Sequence, residues 1–242
     1  MTDWADNFTR ATTLQKTVQD DSTALAAVIE ELLELAHTDE WIVQRTAIDA
    51  LGVGLQSQPE TGVSKLSALV RTTLDSSIPY LTQWCEGLTA IANVAPEKTR
   101  EAILQGLKDQ AGQYDEAGAA TLTRILKRIF LDAPSGFLDS LRRLQYLYQE
   151  LPADARTHIL QMHLALSETH CDAVWPMLPD LLIEFESGNS DSRLVAADLL
   201  CALVRNADDG STVVEHLVRW SASQPRESRT QRPWFDPRES VM

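Results

Sequence analysis

Residues 39–55, DEWIVQRTAIDALGVGL, place apolar or small side chains in adjacent pairs four positions apart: Ile42 with Val43, Thr46 with Ala47, Ala50 with Leu51, Gly54 with Leu55. On a helix such pairs draw a stripe broader than contact with one neighbouring helix can bury. A chain carrying this stripe must surround the helix with others. The small residues within it also let those neighbours come close.

The rest of the sequence supplies them. Ser22–His37 places Leu25, Val28, Leu32, Leu35 and Ala36 at helical spacing behind a Ser cap, and Asp39 is positioned to cap the helix that follows. Further helices are predicted over about 63–74, 78–94, 97–110, 114–131, 135–149, 153–168, 172–186, 191–206 and 211–223. Pro59, Pro79, Pro96, Pro134 and Pro152 fall near helix starts, where a missing N–H costs little, and Gly188 and Gly210 are expected in loops. Pro176 and Pro179 are expected to split their segment into a short turn and a helix beginning near Pro179.

Two segments align without gaps. VQRTAIDALG at 43–52 and SRLVAADLLC at 192–201 share Ala47 with Ala196, Asp49 with Asp198 and Leu51 with Leu200. Their offset divides into four periods of about 37 residues, a length found in helical-repeat proteins. With ELLELAHTDEWIVQRTAIDALG the chain resembles the HEAT-repeat family, whose repeat is a leucine-rich helix, an Asp-containing turn and a second helix reading V-R-x-x-A-x-x-A-L-G. Gln44 stands where that pattern favours Arg, and the copies between the first and last are eroded. The resemblance implies an all-α, α-solenoid fold of about five antiparallel helix pairs over residues 1–223, with residues 224–242 as an extended Pro- and Arg-rich tail. It implies in turn a non-enzymatic scaffold for another protein. An accessory role in cofactor attachment and nucleic-acid binding are the alternatives the family offers.

Charge narrows these. With 35 acidic and 21 basic residues the net charge is -14, which disfavours a sequence-independent grip on nucleic acid or on an anionic membrane surface. The acids are concentrated at both ends, and only five bases are Lys, as a protein of a high-salt habitat could carry. No apolar run approaches a membrane span, and the N-terminal MTDWADNFTR lacks the basic start of a secretory signal, so a cytoplasmic location is expected. Cys85, Cys171 and Cys201 are widely spaced and read as small core residues. The six tryptophans, spread one to a segment, are expected mostly in the core.

The five histidines form no HExxH or comparable motif, so no catalytic, cofactor or metal residues are assigned. Glu30 and Glu34, one turn apart, read as a solvated face, and His170 beside Cys171 as loop polarity. The feature that stands out is basic. Arg124, Lys127 and Arg128 share a helix face at i, i+3 and i+4, and Arg142 and Arg143 follow on the next helix, together a candidate site for an acidic partner segment or phosphate. In the tail, Trp234 and Phe235 between Pro233 and Asp236 read as an apolar anchor for a groove on this chain or on a partner.

Overall fold

The computed structural model describes residues 4–75, 82–206 and 210–223. Among these every regular element is helical. The α-helices are α1 (Trp4–Asp20), α2 (Leu25–Ala36), α3 (Trp41–Ser57), the short α4 (Pro59–Val63), α5 (Leu66–Asp75), α6 (Thr82–Val94), α7 (Pro96–Asp109), α8 (Glu116–Asp132), α9 (Leu138–Leu147), α10 (Ala153–Leu166), the short α11 (Cys171–Val174), α12 (Leu178–Ser187), α13 (Ser190–Asn206) and α14 (Gly210–Ser223). None is long and apolar enough to cross a membrane.

The broad stripe of α3 is buried as its width requires. Val43, Ala47, Ala50, Leu51, Gly54 and Leu55 are buried, and so are Ile48 and Gly52, which extend the stripe further round the helix. Accordingly α3 packs against α1, α2 and α6 together. From it a continuous row of contacts runs through the chain: α1 to α3, α3 to α6, α6 to α8, α8 to α10, α10 to α13. A second set, α2, α5, α7 and α9, touches in the same order along the flank of that row. One hydrophobic core threads both, from Ala11 in α1 to Val213 in α14.

Closest approach is made at glycines. A Cβ on Gly52 would lie 2.5 Å from the backbone carbon of Gln83, and one on Gly87 would lie 2.8 Å from the carbonyl oxygen of Gly52, so α3 and α6 meet backbone to backbone. A Cβ on Gly118 would lie 2.0 Å from the carbonyl oxygen of Thr73, which sets the start of α8 on the end of α5. Ala47 and Ala196 are fully buried.

Several expectations are corrected. Residues 4–20 form a helix that periodicity did not mark: its threonines are poor helix formers, and Thr9, Thr12, Thr13 and Thr17 each bond a carbonyl four residues back. Asp21, rather than Ser22, is the cap, accepting from the Thr23 N–H. Glu40, rather than Asp39, precedes α3, and it makes no side-chain cap bond. Val195 is half-buried, Cys201 is exposed, and Gly210 opens α14 rather than lying in a loop. Trp4 and Trp41 are exposed, while Trp84 is buried and Trp175 packs against the core. Pro176 and Pro179 do split their segment, into α11, a 3-10 turn at Trp175–Met177, and α12. Pro79 and the tail lie outside the described residues.

Where α9, α10 and α12 converge, the core admits a charge. Glu184, 3% exposed, pairs with Arg156 at 2.5 Å. The Arg156 guanidinium also donates to the Leu151 carbonyl and lies 6.0 Å from the centroid of the buried Tyr148 ring. Burial pushes the Tyr148 hydroxyl far above its usual range, with Glu184 adding to the rise.

Candidate functional site

The basic face is held in place from both ends of α8. At its start the Asp115 side chain accepts from the Gly118 N–H at 2.8 Å, and the Asp115 N–H donates to the Leu74 carbonyl of α5 at 3.0 Å. Leu122, Leu126, Ile129 and Phe130 face the core, and Pro134 follows the helix end. With that face buried, helical geometry turns Arg124, Lys127 and Arg128 away from it.

Each of the three has a different setting. Lys127, half-buried, donates from Nζ to Gln161 Oε1 of α10 at 2.8 Å. Arg124 and Arg128 line a groove of about 490 Å³ between α6 and α8, whose other wall is Thr82, Cys85, Glu86, Thr89, Ala90 and Asn93. Arg124 is half-buried and Arg128 exposed, and Arg128 makes no ion pair among the described residues. Ile125 contributes apolar floor. The groove therefore offers two guanidiniums, one carboxylate, Glu86, and a row of small polar groups.

Local fields carry the mark of the cations. The His158 imidazole of α10 is held down to about 4, first by burial and then by the nearby Lys127 and Arg124 charges. It is neutral at physiological pH, and its Nδ1 meets Thr123 Oγ1 at 3.1 Å; since the Thr123 hydroxyl donates to the Ala119 carbonyl, Nδ1–H is the donor to its oxygen. Burial likewise pushes the Cys85 thiol up, opposed in part by a hydrogen bond with Thr121, so this groove cysteine is a protonated thiol rather than a nucleophile.

The other predicted residues fall elsewhere. Arg143 on α9 pairs with Glu101 of α7 at 2.6 Å, and Arg142 with Asp139 of its own helix at 3.3 Å. Neither lines the groove. Trp234 and Phe235 lie outside the described residues. Sequence reasoning missed the α6 wall altogether, because a run of Cys, Thr, Ala and Asn on one face has no chemical signature until the helix opposite is known. Glu30 pairs with Lys65 of the loop before α5 and Glu31 with Arg10 of α1, while Glu34 is exposed. No cluster of three or more His, Cys, Asp or Glu side chains suited to a metal occurs among the described residues.

Compared with known proteins, the chain matches no family model, no curated protein and no solved structure.

Proposed function

We propose that the chain is a non-enzymatic scaffold, a solenoid of about five antiparallel helix pairs of HEAT-like type, whose α6–α8 groove receives an acidic segment of a protein partner. The pairs would be α2 with α3, α5 with α6, α7 with α8, α9 with α10 and α12 with α13. In support, the second members touch in series, and their first residues, Trp41, Thr82, Glu116, Ala153 and Ser190, recur at the spacing a helical repeat needs.

The observation that carries the functional reading is Arg128. In a chain of net charge -14 an exposed guanidinium has acids in abundance to pair with, as Arg10, Arg71, Arg142, Arg143 and Arg219 do. Arg128, like the exposed Arg45 and Arg193, makes no ion pair among the described residues, but unlike them it stands at a groove, beside Arg124, with small side chains opposite that leave room for an incoming chain. A guanidinium pair along one wall of such a groove fits carboxylates, which it can bind in bidentate fashion.

Reversing Arg124, Lys127 and Arg128 to Glu tests this. The reversed chain is expected to keep its helical circular dichroism and to lose the partners that the wild type retains from native lysate. Reversing Arg142 and Arg143 leaves capture intact. Equal capture by wild type and the triple reversal refutes the groove as the binding face.

A further inference from the structure

The two ends of the helical row are finished differently. At the N-terminal end α1 buries Asn7, Ala11 and Val18, and beyond Trp4 it exposes polar residues: Thr9, Arg10, Thr12, Thr13, Lys16 and Thr17. That is how a terminal helix of a stacked array caps it, with one face apolar and the other for water. At the other end α14 buries Val213 and half-buries Leu217 against the core, yet Val214 and Val218 are 44% and 62% exposed. The pairs Val213 with Val214 and Leu217 with Val218 repeat the adjacent-pair stripe of α3, the pattern of a helix between neighbours. α14 has α13 on one side. Its second apolar row, Val214 and Val218, is uncovered among the described residues.

We propose that this row is the docking face for the chain's own C-terminal segment, residues 224–242, with Trp234 and Phe235 as the side chains that cover it. Reach allows it: the eleven residues from Ser223 to Trp234 span up to about 36 Å, whereas Val214 lies nine helical residues, about 14 Å, back from Ser223. Charge favours it over a second copy of the chain. Residues 151–222 hold 11 acids against 4 bases, so two such ends would repel, while the terminal segment brings Arg226, Arg229 and Arg232 just ahead of its aromatic pair. Length suits it too, since one short extended segment bearing two large aromatics covers two valines without a further helix.

Amide hydrogen exchange across Val214–Arg219 tests the proposal in three chains: full length, truncated after Pro225, and full length with Trp234→Ala and Phe235→Ala. Exchange is expected about tenfold faster in both altered chains, the change that loss of about 1.4 kcal/mol of docking energy gives. It should not vary with protein concentration. Val218→Ala, in a cycle with Trp234→Ala, is expected to show non-additive effects on that exchange. Equal exchange in all three chains, additive effects in the cycle, or protection that grows with concentration, as a second copy would give, each overturns it.

Discussion

Lowering the pH should weaken the fold through two imidazoles that burial holds down, His158 and His163, and the contribution of His163 can be worked out. His163 on α10 is fully buried, and burial holds it down to about 4, against 6.5 for an ordinary imidazole. Its hydrogen bonds explain why it stays neutral. Nδ1–H donates to the Ile159 carbonyl at 2.8 Å, which leaves Nε2 as the acceptor, filled by the Gln145 amide at 3.1 Å. That amide nitrogen also donates to the Ala173 carbonyl at 3.0 Å, so it cannot be flipped to accept a proton from Nε2 without abandoning Ala173. Because the unfolded chain takes up this proton near 6.5 and the folded chain only near 4, stability is intact above pH 6.5 and is lost as pH falls through that window. Between about pH 7.5 and pH 4.5 the loss amounts to roughly 2 to 3 kcal/mol. Carboxylates and His158 titrate in the same range, so the measurement is a difference. Urea midpoints of the wild type and of His163→Gln are compared across the range, and the wild type is expected to lose that amount relative to the variant as pH falls. Parallel curves would refute the assignment of a buried neutral His163.

Four further substitutions probe the packing. Gly118→Ala puts a methyl against the backbone oxygen of Thr73, which no side-chain rotation can relieve, so a loss of about 3 kcal/mol is expected, whereas Gly136→Ala, with its nearest atom 4.0 Å away, should change stability by less than about 0.5 kcal/mol. Ala47→Leu and Ala196→Leu, each at a fully buried position, should each cost about 1 to 3 kcal/mol by denaturant unfolding, and unchanged midpoints in both would show that these crossings have room to spare.

The helices were readable because their signal is local: apolar spacing in α2, α3 and α13 needs no knowledge of a partner. What escaped was set by partners. The helix at 4–20 is Thr-rich and weak in propensity, and burial of Ala11 and Val18 beside α3 selects it. Gly52 and Gly87 look like two ordinary helix glycines until one backbone is seen resting on the other. The basic site divides the same way. The shared face of Arg124, Lys127 and Arg128 follows from i, i+3, i+4 spacing, but the partner of Arg143, Glu101, is 42 residues earlier in the chain. Nothing in the local sequence distinguishes an arginine held by such a partner from one facing a groove.

The same reasoning would let the proposed repeat persist while its sequence fades. Seven side-chain hydrogen bonds between segments distant in sequence cluster in separation: 35 residues for Lys65 with Glu30, Thr72 with His37, Gln110 with Asp75 and Thr123 with His158, 36 for Arg100 with Gly136, and 34 for Gln15 with Asp49 and Lys127 with Gln161, while others lie outside the cluster, such as 27 for Gln56 with Gln83 and 42 for Arg143 with Glu101. In the proposed repeat, bonds that link equivalent places in adjacent units would be separated by about one period, and this cluster lies close to the period of about 37 residues that the two aligned segments suggest. The chemistry varies: hydroxyl with imidazole and amide to carboxylate occur twice each, and ammonium to carboxylate, ammonium to amide and guanidinium to carbonyl once each. Each junction needs some donor facing some acceptor, and the apolar positions need volume rather than identity. A periodic architecture of the proposed kind would then be under no pressure to keep a periodic sequence. Only the positions where backbone meets backbone, such as Gly52 with Gly87 and Gly118 with Thr73, are restricted to one residue type, and such contacts are too few to leave a recurring motif.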